Sequence, residues 1–155
     1  MRAYFDRDNV ALPNIAKHFV SLSKRAHTDT LHFLDYNNLR GARAMVKTIP
    51  PPSPEFYDES KKDDALPAFQ LSLALEKLAF QKLKELHDVA LEQKDPEMQD
   101  FVKTKLHQQV HHIREAGNYV AELERIGRGH AVYHFDKRIG KRFGDVLSAK
   151  VELPS

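Results

Sequence analysis

Apolar residues recur at three- and four-residue steps over three long stretches, which predicts three long helices. The first is expected over 13–40, with Ile15, Phe19, Leu22, Ala26, Phe33 and Tyr36 on one face. Asp8 or Asn9 is placed to cap it, and Pro13 is tolerated in the first turn, whose N–H groups lack intrahelical partners. Arg40-Gly41 ends it, since glycine suits a C-terminal cap. The second is expected over 65–94, with Phe69, Leu73, Phe80 and Leu83 forming its stripe. The third is expected over 96–127, carrying Leu106, Val110, Ile113, Ala116, Val120 and Leu123. Asp95 caps this last helix and Pro96 takes its first position. Each helix also carries one polar residue on or beside its apolar face. Asp29 fills the step between Ala26 and Phe33, Glu76 lies inside the second stripe, and Gln109 lies on the edge of the third.

Between the first two helices, residues 41–64 contain Pro50, Pro51, Pro52 and Pro54 and end in an unpatterned charged run. Proline excludes a helix there. Fully extended, this connection reaches about 75 Å at about 3.3 Å per residue, whereas a helix over 13–40 is about 40 Å long. It is therefore long enough to run the length of a bundle and let its flanking helices lie parallel. One long crossover among otherwise short loops is a ferritin-like topology, so the chain is expected to be all-α, a single domain over 1–155. After Gly127 and Gly129 a short amphipathic piece over about 130–139 carries Val132, Tyr133, Phe135 and Ile139, and a weakly patterned tail follows.

Composition adds mainly exclusions. At 155 residues the chain is long enough to bury a core, and 41% hydrophobic with 30% charged residues is ordinary for a globular domain. A net charge of +2 gives no ground for nucleic-acid or membrane attraction. Without cysteine, disulfides and thiolate chemistry are excluded. The N-terminal MRAYFDRDN has no apolar run that reads as a signal peptide, so a cytoplasmic location is the expectation.

Several local matches, in order, make the chain similar to the ferritins. They are YFDRDNVAL at 4–12, the Asn38-Leu39-Arg40-Gly41 corner, LALEK at 73–77, Leu86-His87, and Lys94-Asp95-Pro96. Gln109-Val110 with Ile113, the Gly117 segment and Phe135-Asp136-Lys137 complete the series. The resemblance implies an iron-storage subunit, a helical bundle with a short fifth helix that assembles with other ferritin subunits as a hollow shell. It also implies a first helix that is largely missing here, because Met1 matches a position near that helix's end. In catalytically active members, carboxylates, a histidine and a glutamine inside the bundle hold two irons during oxidation by dioxygen, and hard oxygen and imidazole donors suit that role.

Carried over residue by residue, Glu76 and Gln109 match the family's bridging glutamate and its glutamine. The acidic cluster and histidine fall on Arg25, Ala26 and Asp29, so one charge is reversed and one donor is lost. The Glu-x-x-His spacing of di-iron bundles is absent from the sequence. The surface expected to nucleate mineral, around 21–28, is basic rather than acidic. Of the two acids expected along the channel for incoming Fe²⁺, Asp100 matches one, while Lys103 occupies the other position and repels the cation. The segment from Asp95 to Gln109 is one residue short of the family's, which turns part of the helix by about 100°.

The expectation is a structural subunit with iron as its cargo, Asp29, Glu76 and Gln109 being the candidate metal residues. An active ferroxidase with a reduced ligand set is the alternative, and a helical interaction module that no longer handles iron is a weaker third. Arg25, one turn before Asp29, also allows a reading with no metal, in which a buried cation neutralises the acids. His107 and His111 share a helix face at i, i+4, but histidines in such places are usually solvated. The basic run at Lys137, Arg138, Lys141 and Arg142 reads as a solvated face or a subunit contact.

Overall fold

The computed structural model describes residues 1–45, 48, 55–57, 64–127 and 129–149, the side chains of 142–149 aside. Among them are five helices: α1 (Arg2–Phe5), α2 (Pro13–Leu39), α3 (Ala65–Glu92), α4 (Pro96–Ile126) and α5 (His130–Ala149). The three long helices stand where the apolar periodicity puts them. The proline cluster of the long connection lies outside the described residues, and so does the expectation that it traverses a bundle. Two compact units emerge. One holds Met1–Phe56 and the chain from Tyr133 onward, and the other holds Tyr57–Val132.

In the first unit, the N-terminal residues contribute to the core. Tyr4 and Phe5 are buried in α1, and Phe5 stacks on Phe19 of α2 with ring centroids 5.6 Å apart. Phe56 closes on the same cluster, edge-on to Tyr4 at 5.5 Å. Beside it, Arg7 donates two hydrogen bonds to the Glu55 carboxylate, at 2.9 and 3.1 Å.

The expected caps at Asp8 and Asn9 do not form. The N-cap position of α2 is Leu12, which offers no side-chain oxygen. Pro13 has no N–H, so the first open donors of the helix are those of Asn14 and Ile15. Both go to Asp136 of α5, whose Oδ1 accepts them at 2.9 and 2.8 Å, while the Asn14 carboxamide donates to Oδ2 at 2.8 Å. Asp136 is 1% exposed. A carboxylate at the positive end of a helix is favoured there, and this one arrives from a distant part of the chain.

Gly140 leaves room for the Asn14 carboxamide, because a Cβ at that position would lie 2.6 Å from Asn14 Cγ. The fifth helix also runs on to Ala149, past the stop expected near 139. Ile139, Phe143, Val146 and Leu147 continue a helical spacing across Gly140 and Gly144. Glycine costs a helix only about 1 kcal/mol, too little to end it.

The second unit is an antiparallel hairpin. Pairs run in opposite directions along α3 and α4: Gln99 donates to the Ala90 carbonyl at 3.3 Å, Phe69 meets Tyr119 edge-on at 5.6 Å, and Gln70 donates to Glu124 at 3.4 Å. Asp95 caps α4 as expected, accepting from the Met98 N–H at 3.0 Å. Lys94 takes a left-handed conformation (φ 53°) to make the turn. Gly127, with φ 69°, follows α4 and donates its N–H to the Leu123 carbonyl.

The buried face of α4 differs from the one anticipated. Val102, Gln109, Ala116 and Leu123 are buried at seven-residue steps, whereas Val110 is 52% exposed. A seven-residue repeat is the seam by which paired helices pack. Gln109 is therefore a member of the seam and not its edge.

Candidate functional site

Of the three candidate metal residues, the hairpin brings two together. Glu76 sits midway along α3, half-buried, and Gln109 is buried across from it on α4. The Gln109 carboxamide donates to the Glu76 backbone carbonyl at 3.0 Å and to its carboxylate Oε2 at 2.5 Å. Both amide hydrogens thus have acceptors on one residue. The Gln109 carbonyl oxygen lies 3.3 Å from His112 Nδ1 one turn further along α4. With a proton on Nδ1 the imidazole donates, and the three residues form a relay from ring to amide to carboxylate. His112 is not among the residues that the sequence pattern singles out. Its i, i+3 spacing from Gln109 is the signal that places it here.

A carboxylate held by an amide and an amide oriented by an imidazole are oxygen donors suited to a hard or borderline cation. The same hydrogen bonds also satisfy both polar groups inside the hairpin, as burial requires. Asp29 belongs to the other unit, half-buried on α2, with Arg25 also half-buried one turn before it. Its pairing with Glu76 and Gln109 remains an expectation of the sequence. Among the described residues, no three His, Cys, Asp or Glu side chains gather as a ready metal site. Asp100 and Lys103 are both exposed near the start of α4, and the Asp100 carbonyl accepts from Thr104 Oγ1 at 3.2 Å. No described helix is long and apolar enough to cross a membrane.

Comparisons with known proteins agree on one family. The ferritin-like domain model matches residues 1–126 of the 155. Ferritin-2, chloroplastic, of Glycine max is 42% identical over 138 residues, covering 88% of this chain and 53% of that protein. Ferritin-2, chloroplastic, of Arabidopsis thaliana is 45% identical over 140 residues, with 88% and 54% covered. The chain therefore spans about half the length of the curated relatives it matches. Among solved structures, ferritin from the multicellular green alga Ulva pertusa superposes with a TM-score of 0.86 at 40% identity, covering 90% of this chain and 72% of that one. The cytoplasmic expectation is overturned by these relatives, which are named as chloroplastic proteins. It rested on the absence of an apolar run at the N-terminus, a test that detects secretory signals and says little about plastid addresses. With two-fifths of its residues shared across most of its length, and with the same helical fold, the chain belongs to the ferritin family.

Proposed function

We propose that this chain is an iron-storage subunit whose part in a ferritin shell is structural, with iron as cargo rather than as a resident cofactor. The observation that carries the reading is the contact between Glu76 and Gln109, a family-matching donor pair that α3 and α4 bring face to face. The structural role is supported by the sequence around Asp29, where Arg25 and Ala26 replace donors that the catalytic members need. We read residues 1–155 as one domain of that shell, in company with other ferritin subunits. The names of the relatives support a plastid setting.

A second reading is favoured by the same pair. Glu76 and Gln109 with further ligands supplied from elsewhere would make a reduced ferroxidase centre. Fe²⁺ oxidation by the purified protein, compared with its Glu76→Ala variant, separates the two. Equal rates support the structural subunit, and a rate that falls with the variant supports the ferroxidase. Co-expression with a catalytic ferritin subunit is expected to give shell-sized particles containing both chains. Recovery of this chain only as a monomer would refute the shell role.

A further inference from the structure

On the side of α4 away from Gln109, His107 and His111 are both exposed and stand one turn apart. Their imidazole rings are 5.1 Å apart, centre to centre, and meet edge to face at 80°. We infer that this pair is a surface binding site for a divalent late-transition-metal ion, Zn²⁺, Ni²⁺ or Cu²⁺, independent of the iron cargo.

The spacing carries the inference. A metal–imidazole bond is about 2.0–2.1 Å and the ring centre lies about 1.1–1.2 Å behind the nitrogen, so two rings on one tetrahedral ion have centres about 5.2 Å apart. The two histidines already hold that separation. Rotation about χ2 turns a ring about an axis close to the line from Cβ through its centre, so the nitrogens can face one point while the centres stay put. That torsion is soft for histidine. The helix backbone fixes the two attachment points at the i, i+4 distance, so little further ordering is needed.

The neighbours set the ligand class and the strength. Lys103, one turn before His107, places a cation on the same face, and Glu115, one turn after His111, places a carboxylate there. The Glu115 carboxylate accepts from the Tyr119 hydroxyl at 3.2 Å. Two imidazoles and open positions filled by water suit borderline ions and discriminate against Mg²⁺ and Ca²⁺, which prefer oxygen. Among the three, Cu²⁺ is expected to bind most tightly.

The test is calorimetric titration of the chelator-treated full chain with Zn²⁺ or Ni²⁺ alone. One equivalent per chain is expected to weaken by roughly tenfold or more in His107→Ala and equally in His111→Ala. The double variant is expected to show no further loss, as a site that needs both rings requires. His134→Ala, on an exposed α5 position, and Glu76→Ala should both leave this equivalent intact, so that failure here is distinct from failure of the iron-storage reading. Cu²⁺ bound to the wild-type chain should show an electron paramagnetic resonance pattern from two imidazole nitrogens. Single variants that bind as the wild type does, or losses that add as two independent sites, would overturn the site. Both substitutions are at exposed helical positions, and circular dichroism checks that the helices are kept.

Discussion

At the scale of single residues, Gln109 shows how a buried amide is held. Replacing it with leucine keeps the volume but removes two donated hydrogen bonds and leaves the Glu76 carboxylate without that donor. A loss of about 1–3 kcal/mol is expected in denaturant unfolding, against under about 1 kcal/mol for His112→Ala, which leaves the contact with Glu76 in place. Glu55 offers a pH test. The hydrogen bonds from Arg7 hold its carboxyl below the ordinary 4.5. A depressed folded value means that the stabilisation is present above the unfolded value and is lost as pH falls through the folded one. A carbon-detected titration by nuclear magnetic resonance should place the Glu55 midpoint below 4.5, and Arg7→Ala should restore it. The polar pair was legible in the sequence because Glu76 interrupts an apolar stripe. The burial of Gln109 in place of Val110 was not, since the two differ by only about 100° of helix rotation and the packing partner decides which faces inward.

At the scale of elements, most helix boundaries could be read from the sequence because periodicity, Asp95-Pro96 and the flanking glycines agree. The start of α2 could not. Its local candidates, Asp8 and Asn9, precede the helix by a turn of chain that includes Ala11 at φ 52°, and the cap comes from α5 instead. No local rule anticipates a partner 122 residues away. Asp136→Ala is expected to cost about 2–3 kcal/mol, because two helix-end donors lose their acceptor in a buried place. Hydrogen exchange at Asn14 and Ile15 should accelerate first. Gly140→Ala is the milder counterpart. It displaces the Asn14 carboxamide while sparing the two backbone bonds, and alanine's better helix propensity, worth about 1 kcal/mol, offsets part of the loss. A net change within about 1 kcal/mol is expected in thermal unfolding.

At the scale of the whole molecule, charge placement decides how cations meet the protein. The net charge is only +2, so local arrangement matters more than the total. If the exposed start of α4 lines the path of incoming Fe²⁺, Lys103→Glu beside Asp100 should raise the initial rate of Fe²⁺ uptake by assembled particles roughly two- to fivefold at low ionic strength. The gain should fade at about 0.5 M salt, where exposed charges are screened within a few ångströms. An unchanged rate would remove Lys103 and Asp100 from the path. Family and fold were both legible at this scale from short matches in order, whereas location was not, because a compartment address is not encoded in the composition or periodicity of a folded helical chain.

The reach of Asp136 bears on how the protein is made. During synthesis the start of α2 leaves the ribosome 122 residues before its cap, a delay of roughly 6–24 s at about 5–20 residues per second. In that interval α3 and α4 can zip together from nearby contacts, which form fast. The front of α2 keeps two open donors until α5 emerges. A nascent chain interrupted after Ile126 but before Asp136 would thus carry a finished hairpin and an unfinished first long helix, with a frayed end for proteases to find.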